Sequence, residues 1–287
     1  MTKKLPESRI TPVNSFGKKR ILLFLSSLFL FLLYISETAF AERPFLLTER
    51  AIPLERGTYK LETGLVLNRF SSDTRNSNLF LDLRYGLIQN LELDILLPYL
   101  FREEDGEHEN QIGDLLLRAK VRFLKGREAN PLSISGQLFI KLPSAGRDRF
   151  FGTTGEPDLG IVAIASKEFT PVTAHINFGY IFIGNPPLGD LPDQILYALG
   201  WELQTNAEPL TLIGEISGST EIGSSASRGI LTLLGGINYK FERAVTADAS
   251  VGFGLTDDSP DYLVQFWIHL SLRVNLSRPR HSLVHHY

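Results

Sequence analysis

Apolar and polar residues alternate with period two along most of this chain. That pattern restricts it to strands with one apolar and one polar face. It is clearest over residues 174–182, where Ala174, Ile176, Phe178, Tyr180 and Phe182 share one parity and His175, Asn177 and Gly179 the other. The alternation predicts about twelve strands, over residues 57–70, 78–87, 91–101, 114–124, 132–142, 159–169, 174–182, 195–205, 210–218, 230–241, 246–255 and 262–276, with no helix between them. Val162 and Ile164 interrupt it within residues 159–169. In a soluble sandwich the apolar parity would face inward. Here the polar parity carries charges of both signs and the strands follow a secretory leader, so the expected fold is all-β, a transmembrane antiparallel up-and-down β-barrel with its apolar side toward lipid.

The compartment is read from the first residues. Lys18, Lys19 and Arg20 precede the apolar run 21–35, and Ala39-Phe40-Ala41 supplies the small residues of a cleavage site, so 1–41 is expected to be a signal peptide. The run is shorter than the roughly 20 apolar residues that a membrane helix needs. Without residues 1–41 the chain keeps 23 Lys and Arg against 30 Asp and Glu, a formal charge of −7, which disfavours nucleic acid as a partner. There is no cysteine, hence no disulfide framework and no thiol chemistry. Residues 42–56 lack a period and are expected to form a periplasmic or lumenal segment ahead of the barrel, residues 57–276, with 277–287 as a tail carrying His281, His285 and His286.

Short connections are predicted at Gln89-Asn90, 126–131, 170–173, 206–209 and 242–245, and they interleave with longer ones. Outer-membrane barrels show this alternation, with short turns toward the periplasm and long loops outside. The acidic stretch 102–111 is too long for a tight turn and reads as an external loop, as do 143–158 and 219–229. Aromatic residues such as Tyr59, Tyr85, Phe101, Phe123 and Phe169 fall near strand ends, where interface girdles are expected.

Several segments resemble a family of bacterial outer-membrane transporters of the phenol-degradation meta-pathway type. They are Gly113-Asp114-Leu115 with Lys120-Val121-Arg122-Phe123, then Lys141-Leu142-Pro143-Ser144, then 155–160 with Ala165-Ser166-Lys167-Glu168-Phe169. The clearest is Gly252-Phe253-Gly254-Leu255-Thr256-Asp257-Asp258-Ser259-Pro260-Asp261-Tyr262. The resemblance runs from about residue 57 to 272 and implies a barrel and a transport role without supplying an active site. Its departure is the tail after residue 275, since such barrels usually end on an aromatic residue closing the last strand.

With the apolar parity toward lipid, the lumen is expected to receive Lys60, Glu62, Asp82, Arg84, Glu92, Asp94, Arg118, Lys120, Arg122, Lys141, His175, Glu202, Glu215, Lys240, Asp248, His269 and Arg273. Glu92 and Asp94 can pair with Arg118, Lys120 and Arg122 on the neighbouring strand. Two readings stand: ion pairs that hold the lumen together, or a polar track that orients a permeating solute. A twelve-stranded barrel is narrower than the open porins, so a wide channel is not expected. The sequence shows no nucleophile elbow ahead of a helix, so neither an enzyme nor a cofactor is expected; His281, His285 and His286 could bind a metal as neutral imidazoles, but the favoured reading is a solvated tail.

The expected function is therefore passive passage of small molecules across the bacterial outer membrane through a narrow charged lumen. The resemblance adds that these are hydrophobic or aromatic. The alternative is a structural or adhesive barrel with a closed lumen and binding through its loops. The expected partners are outer-membrane lipid, the solute and the barrel-assembly machinery, with the chain itself a monomer.

Overall fold

The computed structural model describes residues 46–70, 74–145, 155–185, 191–223, 228–241 and 244–273. The expected signal peptide, the histidine tail, the stretch 274–276 and parts of the loops 143–158 and 219–229 lie outside these residues. Among them there are thirteen strands: β1 (Thr58–Arg69), β2 (Thr74–Ile88), β3 (Leu91–Glu104), β4 (Glu107–Ile112), β5 (Leu115–Leu124), β6 (Leu132–Leu142), β7 (Asp158–Phe169), β8 (Val172–Phe182), β9 (Gln194–Gln204), β10 (Leu210–Glu221), β11 (Gly229–Lys240), β12 (Val245–Gly254) and β13 (Tyr262–Arg273).

The strands pair antiparallel with their chain neighbours except β4 and β5, which both pair with β3; β1 pairs with both β2 and β13, and β2 pairs with β3, so the sheet closes on itself. Closure leaves no open edge around the barrel, β4 apart, which is the condition for a sheet to cross a bilayer. The strands are also long enough, since a tilted crossing takes roughly 9–11 residues.

The burial pattern is inverted relative to a soluble protein. Lys60, Glu62 and Asp82 are 0% exposed, whereas Leu138, Ile161 and Phe178 are 55%, 53% and 59% exposed. Charged residues are almost never fully buried unless paired, and isolated apolar surface of this extent belongs in lipid. The inside-out reading of the alternation therefore holds along the barrel.

Two details differ from expectation. The stretch 102–111 is not a loop: β3 runs on to Glu104, β4 starts at Glu107, and the hairpin turns on Asp105 (φ 52°) and Gly106 (φ 80°). Two adjacent positive φ values are the geometry of a tight two-residue hairpin turn, which Asp-Gly favours. All but one of the β4 residues are exposed, so neither of its faces packs and the period-two signal fades.

The strand expected at 114–124 is the inner part of a longer one. β3 pairs through Leu91–Leu96 with β5 and through Tyr99–Glu104 with β4, with one extra residue accumulated between the two registers. Pro98, which has no N–H to give, accepts from Gly113 N at 2.8 Å at this bulge. The barrel thus has twelve staves, one of them extended outward as β4. β7, where the alternation seemed broken, is a regular strand with Val162 and Ile164 pointing inward.

Candidate functional site

The inside of the barrel is not empty, because residues 46–56 cross it without joining the sheet. Their backbone, which would be unsatisfied in a strand-free segment, is bonded by side chains from five strands. Glu215 on β10 accepts from the N–H groups of Leu46, Leu47 and Thr48 at 2.6, 2.8 and 3.1 Å. Asn177 on β8 accepts from Glu49 N at 2.6 Å and donates to Glu49 O at 3.0 Å. Ser166 on β7 accepts from Ala51 N at 2.8 Å, Ser135 on β6 donates to Ala51 O, and Glu92 on β3 accepts from Leu54 N at 2.7 Å.

The segment then reaches the rim, where Gly57 N donates to Gly86 O at 2.8 Å. A Cβ on Gly86 would stand 2.1 Å from Glu55 O, so only glycine lets the segment lie this close to β2.

Around this strap the inward-facing charges form a lattice. Arg118 bonds Asp82 and Asp94, each at 2.6 Å, Arg84 grips Glu92 and also lies 3.6 Å from Glu62, and Lys60 meets Glu62 at 2.6 Å. Lys120 reaches Glu92 at 3.2 Å. The strap contributes Glu49, which stands 3.3 Å from Lys120, 3.6 Å from Arg118 and 3.9 Å from Arg84. Each charge of this lattice has an opposite partner, the condition under which burial is tolerated.

On the other side, His269 faces Glu62 at 2.8 Å through Nδ1 and Asp248 through Nε2, and Asn238 donates to Asp248. His175 sits between Ser166 at 2.7 Å and Glu202 at 2.9 Å, and Glu202 accepts from the strap's Arg50 at 2.6 Å.

Four of the sequence-predicted residues lie toward the ends of the lumen. Arg122 bonds Asn90 in the short turn at 3.0 Å instead of joining Glu92 and Asp94. Lys141 pairs with Asp158 at 2.6 Å toward the outer mouth, and Arg273 with Glu55 at 3.1 Å at the short-turn rim. Lys240 lines a cavity at the short-turn end. The strap residues Glu49, Arg50 and Ala51, and their clasps Ser135, Ser166 and Asn177, were not among the sequence candidates. A segment without a period carries no positional signal, and a small polar residue on a strand's inner parity does not announce a partner.

The strap leaves space on both sides at the short-turn end. Cavities of about 660 and 550 Å³ lie there, both lined by Ile52 and Glu168. A third, of about 330 Å³, lies toward the outer mouth.

A family model described as "Putative MetA-pathway of phenol degradation" matches residues 45–271. No curated protein matches the sequence. Among solved structures, an outer membrane channel from Pseudomonas putida F1 is similar, with TM-score 0.64 and 13% identity over 77% of this chain and 98% of that one. The monoaromatic hydrocarbon channel CymD aligns at TM-score 0.44 and 10% identity over 77% of this chain and 89% of that one. The translocator domain of the autotransporter NalP from Neisseria meningitidis aligns at TM-score 0.44 and 12% identity, over 90% and 96% of the two chains.

Proposed function

The chain belongs to the family of the MetA pathway of phenol degradation, and on that premise we propose that it is a monomeric channel of the bacterial outer membrane. Placed there by the barrel-assembly machinery, it passes small hydrophobic or aromatic solutes passively through a narrow lumen. The closed sheet and its apolar exterior are those of an outer-membrane barrel. The solute class rests on the family.

The observation that carries the channel reading is the strap with its flanking cavities. A small barrel of about eight strands can fill its lumen with side chains. This one instead fills it with a peptide segment held by hydrogen bonds and leaves about 660 and 550 Å³ beside it. Each volume falls in the range that binds small molecules. The strap keeps the conduit narrow, which favours a small solute over hydrated sugars.

The chain works without catalysis in this reading. Ser166, His175 and Glu202 form a hydrogen-bonded series that could suggest a hydrolase. Yet Ser166 Oγ is committed to Ala51 N beneath the strap, and Ser166 is 3% exposed. The series serves as a clasp.

The test is uptake of radiolabelled phenol, beside glucose, by vesicles whose outer leaflet is lipopolysaccharide and which carry the refolded barrel. The expected result is phenol uptake several-fold faster than in protein-free vesicles, with little gain for glucose. Equal rates with and without protein would move the assignment to a closed structural or adhesive barrel.

A further inference from the structure

The lumen wall is not uniform, and its apolar part is contiguous. Toward the outer mouth, Leu116, Phe139 and Ile181 line the recess of about 330 Å³ together with Ile183 and Leu191. The register explains why they converge: Phe139 lies opposite Gly160, and Gly160 opposite Ile181, in one transverse row across β6, β7 and β8. A Cβ on Gly160 would stand 2.0 Å from the Phe139 ring, so the glycine is what allows the ring to lie flat against β7. Phe139 in turn packs on the buried cluster of Val162, Ile164 and the strap's Ala51. These two β7 residues are the ones that interrupt the alternation, and here they continue the apolar surface inward.

We propose that β6, β7 and β8 carry an apolar track inside the barrel, which takes up a neutral single-ring solute at the Phe139 recess and leads it to the strap at Ala51. The proposal rests on the channel reading and specifies its solute and path. Size is the first argument: an apolar cavity of about 150 Å³ accepts benzene, so a recess of about 330 Å³ has room for one substituted ring.

Charge is the second. Three ionic groups line the recess, Lys141, Asp158 and Glu221; Lys141 is paired with Asp158 at 2.6 Å, so its charge is already met and the acidic remainder disfavours an anionic solute. The polar Gln194 also lines it, so a ring hydroxyl can be accommodated. The ion-paired wall of β1, β2, β3 and β5, by contrast, would have to break buried pairs to admit an apolar molecule.

The test measures phenol uptake and single-channel potassium chloride conductance for Phe139→Asn, Ile181→Asn and Ile213→Asn. Ile213 is equally inward-facing, at 4% exposed, but stands on β10 off the track. Heat-modifiable mobility on gels confirms that each variant is folded, and Phe139→Ala replaces Phe139→Asn if the latter does not assemble. Phenol uptake should fall about tenfold or more for the first two and stay within twofold of wild type for the third, with conductance within twofold throughout.

Unchanged uptake in the Phe139 and Ile181 variants, with an active wild type, would overturn the track and leave the channel reading standing. An equal loss in Ile213→Asn would also overturn it, by making the whole lumen responsible. A wild type no faster than protein-free vesicles would overturn both.

Discussion

At the scale of the residue, the lumen lattice is a set of buried ions whose tolerance depends on complete pairing. Arg118 serves Asp82 and Asp94 at once, so Arg118→Met leaves two carboxylates without their shared partner. Breaking such a pair from one side costs about 3–5 kcal/mol. A clear drop in the urea midpoint of the refolded barrel is the expected result. Arg122, whose guanidinium bonds the neutral Asn90 at the exposed rim, provides the contrast: Arg122→Met should change stability by less than about 0.5 kcal/mol.

The difference between these two arginines could not be read from the sequence. Both stand on one strand parity at a spacing of four, and only the register of β3 against β5 decides which one meets Asp94. Parity was legible because a strand reverses its side chains at every residue. Depth was not, because it depends on strand stagger across the whole barrel.

At the scale of the element, the period-two signal located the staves because each has lipid on one side. It failed where that contrast ends. β4 has water on both faces, and only Asp105-Gly106 marked it as half of a hairpin. β7 has an apolar residue on both parities because the strap's Ala51 covers its inner one.

Two predictions belong here. Leu138 on β6 is 55% exposed on the outer parity, so Leu138→Arg should destabilise the barrel by about 2–4 kcal/mol if it lies near the bilayer midplane, measured by refolding into lipid vesicles. Gly106→Val forces a β-branched residue to a φ of 80°, which should loosen the outer hairpin while leaving conductance unchanged. Limited proteolysis should show faster cutting within residues 103–109 only in that variant.

At the scale of the whole molecule, the barrel is a rigid wall and the strap sets its bore. The strap is held by hydrogen bonds from five separate strands and by Glu49 and Arg50, so no one contact seats it. Its closest approach is at Gly86, and Gly86→Ala should push Glu55 away and raise conductance by perturbing the seat at the rim.

The most direct test of this arrangement is the single-channel conductance of a form lacking residues 46–54, beside the full chain in the same bilayer and salt, with folding confirmed by heat-modifiable mobility. A several-fold rise in conductance is the predicted result. Equal conductance from the two folded forms would contradict the account, since the strap could not then be what narrows the lumen.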